Sequence, residues 1–371
     1  MRPGCWTGPG RHETLRAAKS KRPSGARGKS GMKWERTVTV IGCHVGGEEN
    51  DVIVGGVLPP PGATMFEKKV HLETKADELR KWLLFEPRGK STLCVNLVVP
   101  PTRPDCDAGF IIMESADYPP MSGSNTICTT TVLLETGMLK MLEPLTVVNL
   151  DTPAGLVRVE ATCQDGKVKK VKFANVPCFA THLDTMVEVA GMGSVRVDVA
   201  YGGAFFAIVD APSLGFQVQP HEARDLVAVG NKIKAAAAEQ LPVTHPENPA
   251  IKTVTFTEFA MPFGGPGSRS RNAVIVSPGR IDRSPCGTGT SARLAVLHAK
   301  GLIKTGQGFV HESIIGSEFE SAIASETKVG GKPAIVPTIA GQAWITGIFQ
   351  HGFDPSDPFR GGYTLPDTWF Q

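Results

Sequence analysis

Two short stretches of this chain place a small nucleophile-type side chain directly before a glycine. One is Ser122-Gly123-Ser124-Asn125-Thr126; the other is Cys286-Gly287-Thr288-Gly289-Thr290. Each leads into an apolar run that stops at a glycine, Gly137 or Gly301. The pattern reads as a Gly-rich turn, a helix and a glycine stop. A helix start presents unpaired N–H groups and about half a unit of positive charge, which suits a carboxylate. Glycine lets the backbone approach that ligand closely. Two such starts facing each other would hold one amino-acid carboxylate and favour the negative charge that develops as its α-proton leaves.

The residue at each start would then face Cα. Cys286 suits a base, because a free thiol titrates near about 8.5 and a helix N-terminus lowers it towards the working range. Ser122 ionises too rarely to abstract a proton unaided. It reads as a proton donor or relay, and equally as a plain helix cap. Asp282 precedes Cys286 by four residues. It could pair with a substrate ammonium, or simply stabilise a turn beside Pro285; spacing leaves both readings open. Cys128 reads as core, His44 as structural, and Glu135 and Lys300 as solvated.

The elements that must position these residues are legible in part. Laid without a gap on residues 286–303, residues 122–139 match at Gly123/Gly287, Thr126/Thr290, Val132/Val296, Leu133/Leu297 and Gly137/Gly301. The offset of 164 residues is about one domain length. Two related halves follow, each presenting one such helix. Elsewhere, β-branched runs bounded by Gly, Pro or Asp read as strands: Thr37–Gly42, Ser91–Val99, Gly109–Met113, Leu145–Asn149, Gly155–Ala161, Val168–Phe173, Ala204–Val209, Thr253–Phe259, Ala273–Val276 and Ala343–Phe349. Lys75–Leu83 and Glu222–Glu239 read as further helices. The fold class is therefore mixed α/β.

Composition narrows the function. The length of 371 residues allows about two domains. Hydrophobic residues at 41% and charged residues at 20% are ordinary for a soluble protein. No apolar run is long enough to span a bilayer. The net charge of +3 hides an asymmetry: residues 1–31 hold eight Lys/Arg against the single acid Glu13, which leaves −4 on the remainder. A mildly acidic body excludes a nucleic-acid partner. The basic leader reads as disordered, either transit-like or a non-native extension ahead of a true start at Met32. Eight cysteines form no CxxC pair, and no secretory signal is evident, so free thiols in a reducing cytoplasm are expected. Nine scattered histidines give no ligand spacing and hence no metal site.

At this point a family comes into view. Asp282-Arg-Ser-Pro-Cys286-Gly-Thr-Gly-Thr290 resembles the second catalytic motif of proline racemases and hydroxyproline epimerases. Met121-Ser-Gly-Ser-Asn-Thr126 resembles their first motif, usually Met-Cys-Gly-His. His44-Val-Gly-Gly47, Tyr201-Gly-Gly-Ala-Phe205 and Gly341-Gln-Ala-Trp-Ile-Thr-Gly347 support it, so that the resemblance runs from about Thr37 to about Leu365. It implies two pseudo-symmetric α/β halves, each a curled mixed sheet around a central helix, as in diaminopimelate epimerases, with the active site in the cleft between them. The halves are expected over 33–165 plus 350–371 and over 166–349. Ser122 and Cys286 would occupy the acid/base positions. Gly123, Ser124, Gly287 and Thr288 would contact the carboxylate and ring of the substrate, and Asp282 its ring nitrogen. No cofactor and no metal is implied. The partner is a small imino acid, and a homodimer is left open.

Two departures refine the expected reaction. Serine replaces the first motif's Cys and His, at Ser122 and Ser124, and Gly47-Glu-Glu-Asn-Asp51 stands where Gly-Glu-Pro-Thr-Arg is usual. A hydroxyl residue in place of one Cys is similar to trans-3-hydroxy-L-proline dehydratases, and some Ser/Cys pairs resemble 4-hydroxyproline 2-epimerases. Dehydration needs only one strong base. The first expectation is therefore dehydration of trans-3-hydroxy-L-proline to Δ1-pyrroline-2-carboxylate, with 4-hydroxyproline epimerisation beside it. The alternatives are mainly a trans-4-hydroxy-L-proline 2-epimerase or proline racemase, or a non-catalytic imino-acid-binding protein.

Overall fold

The computed structural model describes residues 34–264 and 268–369. The basic leader expected over 1–31, and the start expected at Met32, lie outside the described residues. The first stretch of chain forms β1 (Arg36–Val45), β2 (Glu48–Gly55), α1 (Met65–Lys75), α2 (Glu78–Leu84), β3 (Leu93–Val99), β4 (Ala108–Met113), α3 (Gly123–Glu135), β5 (Leu145–Thr152), β6 (Gly155–Gln164) and β7 (Lys167–Ala174). The second forms β8 (Phe179–Val189), β9 (Gly193–Tyr201), β10 (Phe205–Asp210), α4 (Ala223–Gln240), β11 (Val254–Ala260), β12 (Arg269–Val276), β13 (Arg280–Ile281), α5 (Gly287–Ala299), β14 (Gly308–Glu312), β15 (Glu318–Val329) and β16 (Lys332–Gly341). A last strand, β17 (Ala343–Phe353), returns to pair with β1 along its whole length.

Pairing resolves these strands into two curled sheets. One runs β17-β1-β2-β3-β4-β5-β6-β7. Both of its ends pack on α3, so the sheet wraps that helix. The other runs β16-β15-β14-β12-β11-β10-β9-β8 and wraps α5 in the same way. Residues Val171–Ala174 of β7 pair with Thr338–Gly341 of β16 and join the two sheets.

The halves share a connectivity that the sequence repeat marks only in part. Each sheet contains two parallel pairs, β2/β3 with β4/β5 and β10/β11 with β12/β14. Parallel neighbours need a crossover. In each half one crossover lies outside the sheet, α1–α2 or α4, and the other lies inside, α3 or α5. Apolar clusters fill the four spaces so created, one around each inner helix and one beneath each outer layer. On this pairing we propose that the halves divide near Ala174 and Gly341. The divisions expected at 165 and 349 would separate β7 and most of β17 from the helix they cover.

The inner helices explain the motif from which they begin. Every residue of α3 from Gly123 to Leu134 is buried, as befits a helix enclosed on all sides. Three of its four threonines are satisfied, since Thr126, Thr130 and Thr131 donate to the carbonyls of Ser122, Thr126 and Ile127, while Thr129 Oγ1 is buried without a partner. Both helices stop alike. Gly137 (φ 76°) and Gly301 (φ 70°) take the left-handed conformation, and Leu139 N and Leu302 N donate back to Leu133 O and Leu297 O at 2.9 and 2.8 Å.

Several elements depart from the sequence reading. The helix expected over Lys75–Leu83 is α2, and Lys75 instead ends α1, which was not expected. Helix α1 buries only Met65 and Leu72, too thin a stripe for periodicity to show. Its start was nevertheless written in the chain: Thr64 Oγ1 accepts from Glu67 N at 3.1 Å, and Glu67 Oε2 accepts from Ala63 N at 2.7 Å. Strands β2, β8, β9, β13, β14, β15 and β16 also went unread; in β8, β9, β14 and β15 charged residues interrupt the apolar pattern, as in Glu318-Phe-Glu-Ser-Ala322 of β15. Glu135 and Lys300 are not solvated. Glu135 bonds Lys167 Nζ and Val168 N, while Lys300 bonds Asp184 and Asp198. Among the described residues no helix is long and apolar enough to cross a membrane.

Candidate active site

The β4–α3 and β12–α5 connections meet between the two sheets. The inner helices abut at their first residues: a Cβ built on Gly123 would lie 3.4 Å from Gly287 Cα, and one on Gly287 would lie 3.4 Å from Gly123 Cα. Beside this contact is a cavity of about 190 Å³. It is smaller than the roughly 300 Å³ of a site for drug-sized ligands. Ser122, Ser124, Asp282, Cys286 and Thr288 all line it. Gly123 and Gly287 stand behind it, at the helix contact. The seven residues singled out in the sequence thus come together in space.

Cys286 is 6% exposed and caps α5 with φ 61° and ψ 108°. That backbone is outside the regions a side chain prefers. It is held by Cys286 N donating to Ser284 Oγ at 3.1 Å and by Gly289 N donating to Cys286 Sγ at 3.4 Å. Thr288 Oγ1 also lies 3.4 Å from the sulfur. The expectation that the helix start lowers this thiol is not met. Burial, with the Asp282 carboxylate adding to it, holds the thiol well above its usual range, and the bonds from Thr288 and Gly289 do not offset this. This environment favours the thiol over the thiolate at Cys286.

Ser122 begins α3 from ordinary extended backbone, φ −150° and ψ 138°, and its side chain caps no N–H of that helix. The hydroxyl instead accepts from Asn125 Nδ2 at 3.0 Å and lies 3.4 Å from Ser124 Oγ. Ser124 in turn donates to Asn50 Oδ1 at 3.4 Å. Asp282 Oδ1 accepts from Ser284 N and Ser284 Oγ at 2.9 and 2.8 Å. Burial pushes its carboxyl above the usual range, opposed by Arg280 and Ser284.

The cavity wall also carries ionisable residues that sequence reasoning did not single out as site residues. Glu48, Cys94, Glu114, Asp117 and Arg280 all line it. Glu48, 3% exposed, reaches from β2 across the cleft: Oε1 lies 2.7 Å from Arg280 Nη1, and Oε2 accepts from Arg283 N at 2.8 Å. Even so, burial raises Glu48 to about 7. Arg280 stays charged, since its carboxylate neighbours outweigh its burial. A signal for Glu48 did exist: in Gly47-Glu-Glu-Asn-Asp51 it keeps the usual Glu of the Gly-Glu pair, and the departure begins only at Glu49. Glu114, half-buried at the wall, is raised to about 8 by desolvation and then by Asp117. His44 is structural as expected: it accepts from Gly47 N at 3.3 Å and stacks on Trp344.

Beneath α5 lies a further buried carboxyl. Glu258 is 0% exposed, its Oε2 has no hydrogen-bond partner, and burial raises it to about 8. A carboxyl raised on folding keeps a proton that the unfolded chain has already lost. Its contribution to stability is complete below 4.5 and disappears as the pH rises through about 8. His311, 3.7 Å away and held well below 6.5, is neutral in both states over the upper part of that window. The urea midpoint is therefore expected to fall between pH 6.5 and about 8, and Glu258→Gln to flatten that fall. A midpoint that rises across the interval would refute this account.

With this geometry in view, comparison with known proteins is informative. A hydroxyproline epimerase from Agrobacterium vitis, solved with trans-4-hydroxy-L-proline bound, is 42% identical, covers 91% of this chain and 98% of its own, and superposes with a TM-score of 0.84. A probable proline racemase from Agrobacterium radiobacter K84, solved with carbonate bound, is 43% identical over 90% of this chain and 98% of its own, with a TM-score of 0.83. A Bacillus anthracis phenazine biosynthesis protein of the PhzF family shares the fold alone, at 10% identity over 85% of this chain and 99% of its own, with a TM-score of 0.53. The family model described as proline racemase matches residues 40–364, taking in both inner helices and both sheets. This chain therefore belongs to the proline racemase family.

Proposed function

We propose that this protein inverts C2 of a 4-hydroxyproline by proton transfer without a cofactor. One observation carries the reading: Cys286 Sγ and Ser122 Oγ border a single small cavity, each at the start of one of two abutting inner helices. Among relatives, the Agrobacterium vitis epimerase, solved with trans-4-hydroxy-L-proline, supports the substrate class.

The chain's own groups suit each part of a zwitterionic ring substrate. The carboxylate takes the N–H groups at the two helix starts. The ring ammonium goes to the acidic wall at Asp282. Its positive charge beside the sulfur offsets the burial that keeps the thiol protonated, so the thiolate forms with substrate present. Cys286 Sγ then takes the α-proton, and the electron pair spreads into the carboxylate beneath the helix N-termini. Ser122 delivers a proton to the opposite face.

A second reading shares the first step. Ser122 offers a hydroxyl where a second thiol would make both faces equally basic, and this favours dehydration of trans-3-hydroxy-L-proline. There the electron pair expels the 3-hydroxyl, and the enamine tautomerises to Δ1-pyrroline-2-carboxylate. The trans-4-hydroxy-L-proline bound to the Agrobacterium vitis relative supports taking epimerisation ahead of the dehydration expected first from sequence.

Both isomers, supplied to the purified protein in D2O and followed by NMR, separate these readings. Inversion with α-deuterium is expected from trans-4-hydroxy-L-proline. No α-deuterium in either substrate together with no loss of water from the 3-hydroxy isomer overturns both readings; loss of water from the 3-hydroxy isomer alone makes the second reading the function.

A further inference from the structure

A serine hydroxyl is a poor proton reservoir. Its proton leaves near neutral pH only if another group replaces it at once. Whatever stands behind Ser122 therefore decides whether the second face can be served. Of the first-half acids that line the cavity, Glu114 shares a hydrogen-bond partner with Ser122.

Glu114 ends the β4 side of the β4–α3 connection, and Ser122 ends its α3 side. Both line the cavity. They bracket one amide: Asn125 Nδ2 lies 3.0 Å from Ser122 Oγ and 3.5 Å from Glu114 Oε1. The two oxygens are thus no farther apart than those two bonds laid end to end, a separation that a bridging water can relay across. Asn125 Oδ1 has no partner of its own, so the amide's role in this arrangement is carried by Nδ2. Because Ser122 Oγ accepts from Asn125, its own proton is free to point at a ligand. Among the described residues no side-chain cation lies within ion-pair distance of the Glu114 carboxyl; Arg80 donates only to its backbone carbonyl, at 3.2 Å.

We propose that Glu114 is the proton store for the Ser122 face, acting through Ser122 and held in line with it by Asn125. The inference rests on the epimerase reading above. In the direction in which Cys286 is the base, Cys286 Sγ takes the α-proton and the C–H electrons remain on the substrate. The Ser122 O–H bond breaks to place its proton on the opposite face, where those electrons form the new C–H bond. The Glu114 O–H proton passes to Ser122 Oγ. The step leaves a thiol at 286 and a carboxylate at 114; the reverse direction runs the same transfers backwards.

One proton is therefore shared between Sγ and Glu114, and the competent enzyme carries exactly that one. Product formation should rise as the first proton of the doubly protonated enzyme leaves and fall when the last leaves the thiol. The carboxyl at 114 loses its proton at about 8. The groups facing it are Asp117, Glu48 and Asp282, which raise it, Arg280, which opposes them, and the Cys94 thiol.

The test uses trans-4-hydroxy-L-proline in D2O with the full chain. Two rates are read: inverted product, and α-deuterium in the recovered starting isomer. Glu114→Gln is expected to lose inversion by on the order of 10²-fold, while exchange by Cys286 on the alkaline side of the profile stays within about threefold. Glu114→Asp keeps the proton, so it should recover part of the inversion and move the acid limb. Ligand affinity by calorimetry establishes that each variant is folded. Inversion at the wild-type rate in Glu114→Gln, or inversion and exchange falling in parallel, overturns the proposal. If the Gln variant does not fold, an acid limb that stays in place between wild type and Glu114→Asp overturns it. A wild-type protein that shows neither rate defeats the epimerase reading itself, and that outcome is distinct from any of these.

Discussion

Cys286→Ala is expected to lower kcat/KM for α-proton removal by at least about 10³-fold, the upper range for loss of a positioned base. No other thiol is placed to replace it. Cys94 also lines the cavity, but burial and the nearby Glu114 carboxylate hold it well above the usual thiol range. Alanine loses the bond from Gly289 N to Sγ but keeps that from Cys286 N to Ser284 Oγ, so one of the two bonds that hold the backbone at 286 survives. Substrate affinity, read by calorimetry, should change by less than about tenfold, since the N–H groups that take the carboxylate remain. The split between lost turnover and kept binding is what marks a base. Turnover within tenfold of wild type would remove Cys286 from the mechanism; loss of binding together with turnover would make it a structural residue.

The second large effect is expected at a residue that never touches the cavity chemistry. Gly202, in Tyr201-Gly-Gly-Ala-Phe205, packs its α-carbon against the first turn of α5. A Cβ there would lie 2.1 Å from Thr288 O and 2.6 Å from Ala292 N, both backbone atoms. The loop cannot easily retreat. Asn175 Nδ2 donates to Gly202 O at 3.0 Å and to Ser291 Oγ at 2.8 Å, tying loop and helix together. In Gly202→Ala the start of α5 must move instead, carrying Cys286 and Thr288 with it. A displacement of about 1 Å in a reacting group costs on the order of 10²-fold, and overpacking about 1–3 kcal/mol. Both should appear, as a fall in kcat/KM and in the urea midpoint. An alanine variant with unchanged kinetics would show that the loop has room to yield.

What the sequence made legible follows from where the information lies. Cys286, Ser122 and Asp282 sit in contiguous motifs, and two of these motifs repeat. The residue types and their order were enough to bring them together on paper. Glu48 and Arg280 become neighbours only because β2 returns beside the β12–α5 connection, and no local pattern announces that. Glu114 likewise depends on Asn125, whose place beside it is fixed by α3. The same reasoning explains the error about the thiol. A helix start is visible in a sequence; the protein that closes over it is not, and here burial outweighs the helix. At the level of folds, the repeated inner helices pointed to two halves, and the divisions proposed here differ from those expected because strands β7 and β17 are assigned by pairing rather than by position along the chain.

The left-handed φ of Cys286 has a further meaning. A residue with a Cβ held there costs on the order of 1–3 kcal/mol, and glycine would relieve nearly all of it. Neither packing nor backbone preference therefore accounts for a cysteine at this point of the chain. A side chain held at this backbone is what the proposed work of the Cys286 sulfur as a base requires.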